Sequence, residues 1–345
     1  MTGRIGETAL VETAAALMAA GKGLLAMDES NPTCNKRFAA LGIAQTEEAR
    51  RAWRELIITT PGLADSISGA ILYDETIHQS CADGTPFTRA LADAGILIGI
   101  KVDTGAKLLA GHGGEKVTEG LDDLRERLAG YHAIGARFAK WRGVIAIDTG
   151  LPSAACIASN AHALARYAAL CQEAGIVPIV EPEVLMTGDH SLGRCAEVTA
   201  QVLNEVFEQL HVQHVQLEGL LLKPNMVLPS LDFGYQDSVD AVADATVTSL
   251  LRAVPAAVPG VAFLSGGQSP ELATARLNAM NQRFKDRLPW ALTFSFSRAL
   301  QYPALEIWRG EPDNVQRAQR ALKHRAACNN AARRGEYTSA LEQVA

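Results

Sequence analysis

No pair among the six cysteines (Cys34, Cys81, Cys156, Cys171, Cys195 and Cys328) stands in CxxC spacing, which excludes a zinc ribbon and a dithiol redox motif. Free thiols in a reducing cytosol are the expectation. The N-terminus lacks the basic residues and unbroken apolar core of an export signal and carries Glu7 and Glu12 instead. No stretch approaches the ~18 apolar residues needed to span a bilayer. Asn31-Pro32-Thr33 is no glycosylation acceptor, because proline holds the middle position. The chain is therefore read as cytoplasmic, with no membrane partner. Blocks of like charge are absent too, and a net charge of -6 spread along the sequence argues against nucleic acid as the main partner. No internal repeat supports a solenoid.

What is present is an ordinary globular composition, 48% hydrophobic and 20% charged, in which short apolar runs alternate with longer segments of helical spacing. The runs at 24–27, 67–72, 96–100, 137–141, 176–180, 220–223, 261–264 and 292–296 read as eight strands. An alanine-rich segment at 7–20 precedes the first and reads as an extra helix stopped by Gly21. Thr46 with Glu47 and Glu48, Ser159 or Asn160, and Ser269-Pro270-Glu271 mark helix starts by capping side chains, proline and first-turn acids. The segment at 105–120 reads as a loop, and 314–335 as a helical extension with a short polar tail. Strict alternation over this length predicts a (β/α)8 TIM barrel, an α/β fold with an extra N-terminal helix and a C-terminal helical extension. One domain is expected over 1–345, its barrel at about 22–300 and the C-terminal helices and tail at about 301–345. A doubly wound open sheet is the competing architecture.

The barrel is favoured by where polar residues fall. Asp28, Lys101, Lys140, Glu181, Lys223, Ser265 and Arg298 follow the C-terminal ends of different strands, which a barrel gathers on one face and an open sheet spreads in a line. The centre of this set is Leu217 to Pro229, LEGLLLKPNMVLP, which delivers Lys223 to the end of an apolar run. A lysine there can snorkel into water, but apolar walls and the positive charges of Lys101 and Lys140 would favour its neutral, nucleophilic form. Such an amine forms Schiff bases with ketones. Glu181 is suited to shuttle protons as the carbinolamine forms and loses water, and Asp28 to take a substrate hydroxyl proton. Ser265, Gly266, Gly267 and Arg298 offer a hydroxyl, backbone N–H groups and a planar fork to one phosphate; Lys101, Ser30 and Thr33 offer a second site across the mouth. The expected partner is a bisphosphorylated ketose. The eight histidines avoid the strand ends, so Glu181, Glu183, Asp189 and His190 are not read as metal ligands and no metal is expected. Asp232-Phe233-Gly234 lacks the rest of a kinase signature. Glu183 reads as a charge partner.

The stretches GKGLLAMDES, GIKVD, FAKWR, IVPIVEPE, LEGLLLKPNMV, FLSGGQS and LTFSFSRALQ, in this order from about Gly21 to about Tyr337, resemble the motif series of class I fructose-bisphosphate aldolase, the Schiff-base type. MDESNPTCNKR and the VPG before the seventh strand resemble its plastid and bacterial branch. The resemblance implies a metal-independent, cofactor-free lyase that reversibly splits fructose 1,6-bisphosphate into dihydroxyacetone phosphate and glyceraldehyde 3-phosphate, and a homotetramer. It implies Lys223 as the Schiff-base lysine, Glu181 as acid and base, and Asp28 and Lys140 at the substrate hydroxyls. Ser265, Gly266 and Arg298 fall to one phosphate, and Lys101, Ser30 and Thr33 to the other, with Lys36, Arg37 and Arg50 as weaker candidates; Arg142 and Gly267 complete the candidate substrate-binding set. Alternatives are a Schiff-base aldolase for another phosphoketose, such as sedoheptulose 1,7-bisphosphate, and a non-catalytic sugar-phosphate scaffold. The second is disfavoured by the presence of Lys223, Glu181 and Asp28. Two departures stand out: Ser297 replaces a small residue before the arginine, and the chain stops at Ala345 without the terminal tyrosine of eukaryotic forms.

Overall fold

The computed structural model describes residues 2–344. The chain runs α1 (Thr2–Leu17), β1 (Gly23–Ala26), α2 (Asn31–Ala40), α3 (Glu47–Ile58), β2 (Ile67–Leu72), α4 (Asp74–Ile77), α5 (Phe87–Asp93), β3 (Leu97–Lys101), β4 (Gly105–Leu108), β5 (Lys116–Glu119), α6 (Leu124–Ala133) and β6 (Phe138–Ile145). It continues through α7 (Ala154–Glu173), β7 (Val177–Val184), α8 (Leu192–Val212), β8 (Leu221–Leu222), α9 (Val239–Ala253), β9 (Gly260–Phe263), α10 (Pro270–Phe284), β10 (Ala291–Phe296), α11 (Arg298–Trp308) and α12 (Val315–Arg334). Eight strands close in the order β1-β10-β9-β8-β7-β6-β3-β2, every pairing parallel. This is the expected (β/α)8 barrel. Parallel strands need long crossovers, and the helices that supply them bury the outer faces of the strands.

The floor of the barrel is apolar and tightly filled. Strand glycines make room there: a Cβ on Gly99 would lie 2.2 Å from Phe138, one on Gly23 2.6 Å from Phe294, and one on Gly260 2.1 Å from Met18. The expected N-terminal helix has its function here, for Leu10, Ala14 and Leu17 of α1, with Met18 after it, join Leu24, Phe138, Ile179 and Leu221 in one buried cluster. At the other end, α12 ties the extension to the same floor, Arg333 donating to the carbonyls of Leu292 (3.0 Å) and Met18 (2.6 Å).

Several expectations need correction. The segment at 105–120 is not a loop; β4 and β5 pair as an antiparallel hairpin, and Thr118 donates to the Arg142 carbonyl at 2.7 Å, a tertiary contact that local spacing does not display. Helix α7 starts at Ala154, capped by Ser153, and Asn160 lies inside it with its amide donating to the Lys116 carbonyl at 2.8 Å. Strands β6 and β7 run past the polar residues read as their ends, whereas β8 has two residues, because Pro224 supplies no N–H. Helices α2 and α11 were not anticipated. The expected caps at Thr46 and Ser269 are present, accepting from Ala49 and Leu272 at 3.1 and 3.2 Å. Among the described residues no helix is long and apolar enough to cross a membrane.

Candidate active site

Side chains alternate along a strand, so residues two apart share a face. The length of β6 and β7 thus sets Lys140 with Arg142, and Glu181 with Glu183, on one side, in a register that pairs Arg142 with Glu181 and Val144 with Glu183. Lys223 extends β8 by one ladder bond, its N–H donating to the Val180 carbonyl at 2.8 Å, before Pro224 turns the chain. Asp28 follows β1, and Lys101 closes β3 with Asp103 two residues on. These groups meet in a cavity of about 690 Å³ at the C-terminal mouth.

A chain of buried charges crosses its base. Lys223 Nζ lies 3.1 Å from Glu181 Oε1, Lys140 Nζ lies 3.3 Å from Glu181 Oε2 and 2.7 Å from Asp28, and Lys101 Nζ lies 2.6 Å from Asp103. Lys140 and Lys223 are each only 3% exposed. Burial disfavours the Lys140 cation, but Asp28, Glu181 and Asp103 together hold its pKa above the usual lysine value. Burial likewise opposes the Asp28 anion, and Lys140 and Lys223 still hold its carboxyl below the ordinary range. The expectation that Lys101 and Lys140 act on Lys223 as bare like charges is corrected by these carboxylates, which alternate with the amines and offset their fields.

Two cationic walls rise above the base. On one side Ser265 and Gly266 follow β9, and Gly266 and Gly267 take φ values of +58° and +90°, a conformation that suits glycine. A Cβ on Gly267 would lie 3.2 Å from the Arg298 guanidinium. Burial, with Arg37 and Arg142 close by, lowers the Arg298 pKa, so an anion bound there would relieve an unfavourable cluster of positive charge. On the other side α2 brings Thr33 and Lys36 to the rim, with Ser30 hydrogen-bonded to Thr33 at 3.1 Å, while Arg37 of the same helix reaches Ser297, 3.3 Å away, beside Arg298. Arg37 is held by Glu29, which also pairs with buried Arg54 at 2.7 Å and accepts from Ser297 at 2.5 Å and Gln301 at 2.9 Å. Burial opposes the Glu29 charge, yet Arg54 and Arg37 keep its carboxyl far below the ordinary range.

Of the candidate residues, Asp28, Ser30, Thr33, Lys101, Lys140, Arg142, Glu181, Lys223, Ser265, Gly266 and Arg298 line the cavity. Gly267 lies behind Arg298. Arg50 does not reach the mouth: its guanidinium is bound by Glu75 at 2.6 and 2.7 Å and by Asn35 at 3.0 Å. Arg142 reaches it already paired with Glu183, the charge partner expected for that carboxylate. Asp103, Glu29, Tyr73 and Ser295, which line the cavity as well, were not singled out from sequence. The signal for Asp103 was its two-residue step from Lys101; for Ser295, whose hydroxyl is buried and has no hydrogen-bond partner among the described residues, there was none.

The architecture and this arrangement coincide with one family. The family model for class I fructose-bisphosphate aldolase matches residues 9–345. The chain belongs to this family. A probable class 1 fructose-bisphosphate aldolase of Xanthomonas campestris is 54% identical over 329 residues, 95% of this chain and 98% of that protein. A cytosolic fructose-bisphosphate aldolase of Arabidopsis thaliana is 50% identical over 95% of this chain and 91% of its own. The solved aldolase of Plasmodium falciparum, in complex with TRAP and a small-molecule inhibitor, superposes with a TM-score of 0.95 at 46% identity, covering 97% of this chain and 96% of that one.

Proposed function

We propose that this aldolase-family chain cleaves fructose 1,6-bisphosphate reversibly through an iminium on Lys223. Glu181 takes a proton from the Lys223 ammonium, the freed amine attacks the C2 ketone, and Glu181 returns that proton to the carbinolamine oxygen, which departs as water. The iminium withdraws electrons as the C3–C4 bond breaks. The C4 hydroxyl gives up its proton, Asp28 accepts it, and glyceraldehyde 3-phosphate leaves. Lys140, a fixed cation beside Asp28, stabilises the oxygen from which that proton departs. Protonation of the remaining enamine and hydrolysis of its iminium release dihydroxyacetone phosphate and restore the amine.

Ser265, Gly266 and Arg298 hold the phosphate near Lys223; Ser30, Thr33 and Lys101 hold the distant one, and Arg37, beside Ser297, stands between the two. We give Arg50 no part at the substrate, since Glu75 and Asn35 already occupy it. The reading extends to one catalytic domain acting in the cytoplasm as a homotetramer, supported by family membership. The observation that carries the mechanism is the Lys223 amine, 3.1 Å from a carboxylate at the base of a cationic cavity. The test is reduction: dihydroxyacetone phosphate with borohydride should inactivate irreversibly and label Lys223, located by peptide mass mapping. Label elsewhere, or none, rejects the mechanism. A parallel assay with sedoheptulose 1,7-bisphosphate ranks the substrates by kcat/KM.

A further inference from the structure

Where the C-terminal tail folds back on α12, apart from the cavity at the mouth, three different donor groups converge. His324 and Cys328 stand one turn apart on α12, and a short 3-10 turn, Ser339–Val344, folds back to set Glu342 beside them. Their ligand atoms all lie within 4.8 Å of one another. We propose that His324, Cys328 and Glu342 bind one divalent ion of the zinc class, which fastens the end of the chain to α12.

The geometry is that of a nearly assembled tetrahedral site. Tetrahedral zinc, with Zn–S about 2.3 Å and Zn–N about 2.0–2.1 Å, sets its sulfur and nitrogen ligands about 3.6 Å apart. His324 Nε2 and Cys328 Sγ are separated by 3.6 Å. His324 Nε2 and Glu342 Oε2 are 4.0 Å apart, against about 3.3 Å in such a site, so a shift under ~1 Å in one side chain completes the face. The carboxylate is already oriented, with Tyr337 donating to Oε1 at 2.7 Å and Arg325 paired with Oε2. Each carboxylate oxygen has a second lone pair, so these contacts persist when a metal binds, as the supporting contacts of metal ligands commonly do. His324 and Cys328 also line a cavity of about 360 Å³, which gives a fourth, water ligand a place and the ion a way in. Thiolate with imidazole selects against calcium and magnesium, which take oxygen ligands.

The ion must displace the thiol proton, Cys–SH and M²⁺ giving Cys–S–M⁺ and H⁺. Burial pushes the Cys328 thiol up to about 11, Arg325 opposing and Glu342 and Glu271 adding to the rise. Burial also works against the Glu342 anion, but Arg325 and Tyr337 hold its carboxyl below the usual range. The charged and titratable groups around the site are thus His324, Arg325, Cys328 and Arg334 from α12, Glu336, Tyr337 and Glu342 from the tail, and Glu271 from α10. Binding releases a proton and strengthens as pH rises.

Cobalt(II) is the probe. Titrated into the full-length protein after treatment with chelator, it should saturate at one equivalent per chain, with thiolate-to-cobalt charge transfer in the near ultraviolet and the intense visible bands of four-coordinate cobalt. Zinc should bleach both. C328S should remove the charge-transfer band, H324Q and E342Q should each weaken binding tenfold or more, and aldol cleavage should be unchanged in all three. A titration that lacks the thiolate band, or that is the same in C328S or H324Q as in the parent, overturns the proposal. H324Q alters a partly exposed side chain and keeps the test decisive if C328S fails to fold.

Discussion

The two ends of the barrel are built on opposite principles. The floor is filled by apolar side chains that sit where strand glycines leave space, with α1 closing it from below. The mouth buries lysines and carboxylates in alternation around a cavity. Burying a large apolar side chain contributes about 1.5–3 kcal/mol, whereas a buried ion pair roughly breaks even against desolvation. The floor therefore stabilises, and the mouth spends that stability on charges held where the chemistry needs them. Substitutions should separate the two: changes at the mouth act on turnover, and changes at the floor act on stability alone.

The largest effect is expected from Lys140→Met. It keeps the apolar stem and removes the cation shared by Asp28, Glu181 and Asp103. The Asp28 carboxyl should rise, and kcat should fall about 10³-fold, roughly 4 kcal/mol in the barrier. Borohydride trapping at Lys223 should persist, because the nucleophile remains. Stopped-flow cleavage and trapping together check this; kcat within tenfold of the parent would contradict the role given to Lys140.

Glu29→Gln probes the frame of the mouth. Glu29 and Arg54 are both buried, and removing one partner of such a pair costs about 3 kcal/mol. A carboxyl with a lowered folded pKa contributes stability that is full above its unfolded value, about 4.3, and is lost as pH falls through the folded value. The melting temperature of the variant should lie below the parent's from pH 5 to 7, and the gap should narrow below about pH 4. A gap independent of pH would mean that Glu29 acts by shape and not by charge. Arg37, losing its anchor, should also raise KM more than it lowers kcat.

At the floor, Gly99→Ala places a methyl 2.2 Å from the Phe138 ring. Overpacking of this kind costs about 1–3 kcal/mol. The unfolding free energy from denaturant titration should fall by that amount while kcat and KM stay within twofold at temperatures where the variant is folded. A large loss of turnover would show the two ends to be mechanically coupled.

The contrast also explains how much could be read from sequence. The barrel was legible because strand runs and helix caps are local signals, and the mouth because Lys223, Glu181 and Asp28 follow apolar runs. Helix α2 escaped notice although Ser30 and Pro32 mark its start, because Cys34 and Phe38 are its only buried side chains and no apolar stripe appears. The ends of β6 and β7 were set too early because the apolar runs break at Arg142 and Glu181, although the ladder continues through both to Ile145 and Val184. Arg50 was misassigned for the converse reason: a guanidinium near the motif is equally at home on Glu75, and only distance decides. Glu29 is held partly by Ser297 and Gln301, far along the chain, which spacing does not reveal, whereas Asp103 stands two residues from its partner Lys101.

The smallest effect is expected at the tail. Tyr337 donates to Glu342, and Glu342 pairs with Arg325 of α12, so this phenol is held against the extension and not over the mouth. Deleting residues 338–345 removes Glu342 and leaves Arg325 without its carboxylate, but it also uncovers that guanidinium to water, which discounts the cost. Thr274 still accepts from Arg325 at 2.7 Å. Proton return to the enamine carbon then rests with Glu181 or solvent. The cleavage rate of the shortened chain should stay within about threefold of the parent, under ~0.7 kcal/mol in the barrier, with melting a few degrees lower. Tritium exchange into dihydroxyacetone phosphate should change as little. A hundredfold fall in exchange with an unchanged melting temperature would place a proton-transfer function in the last eight residues and make the tail part of the mouth.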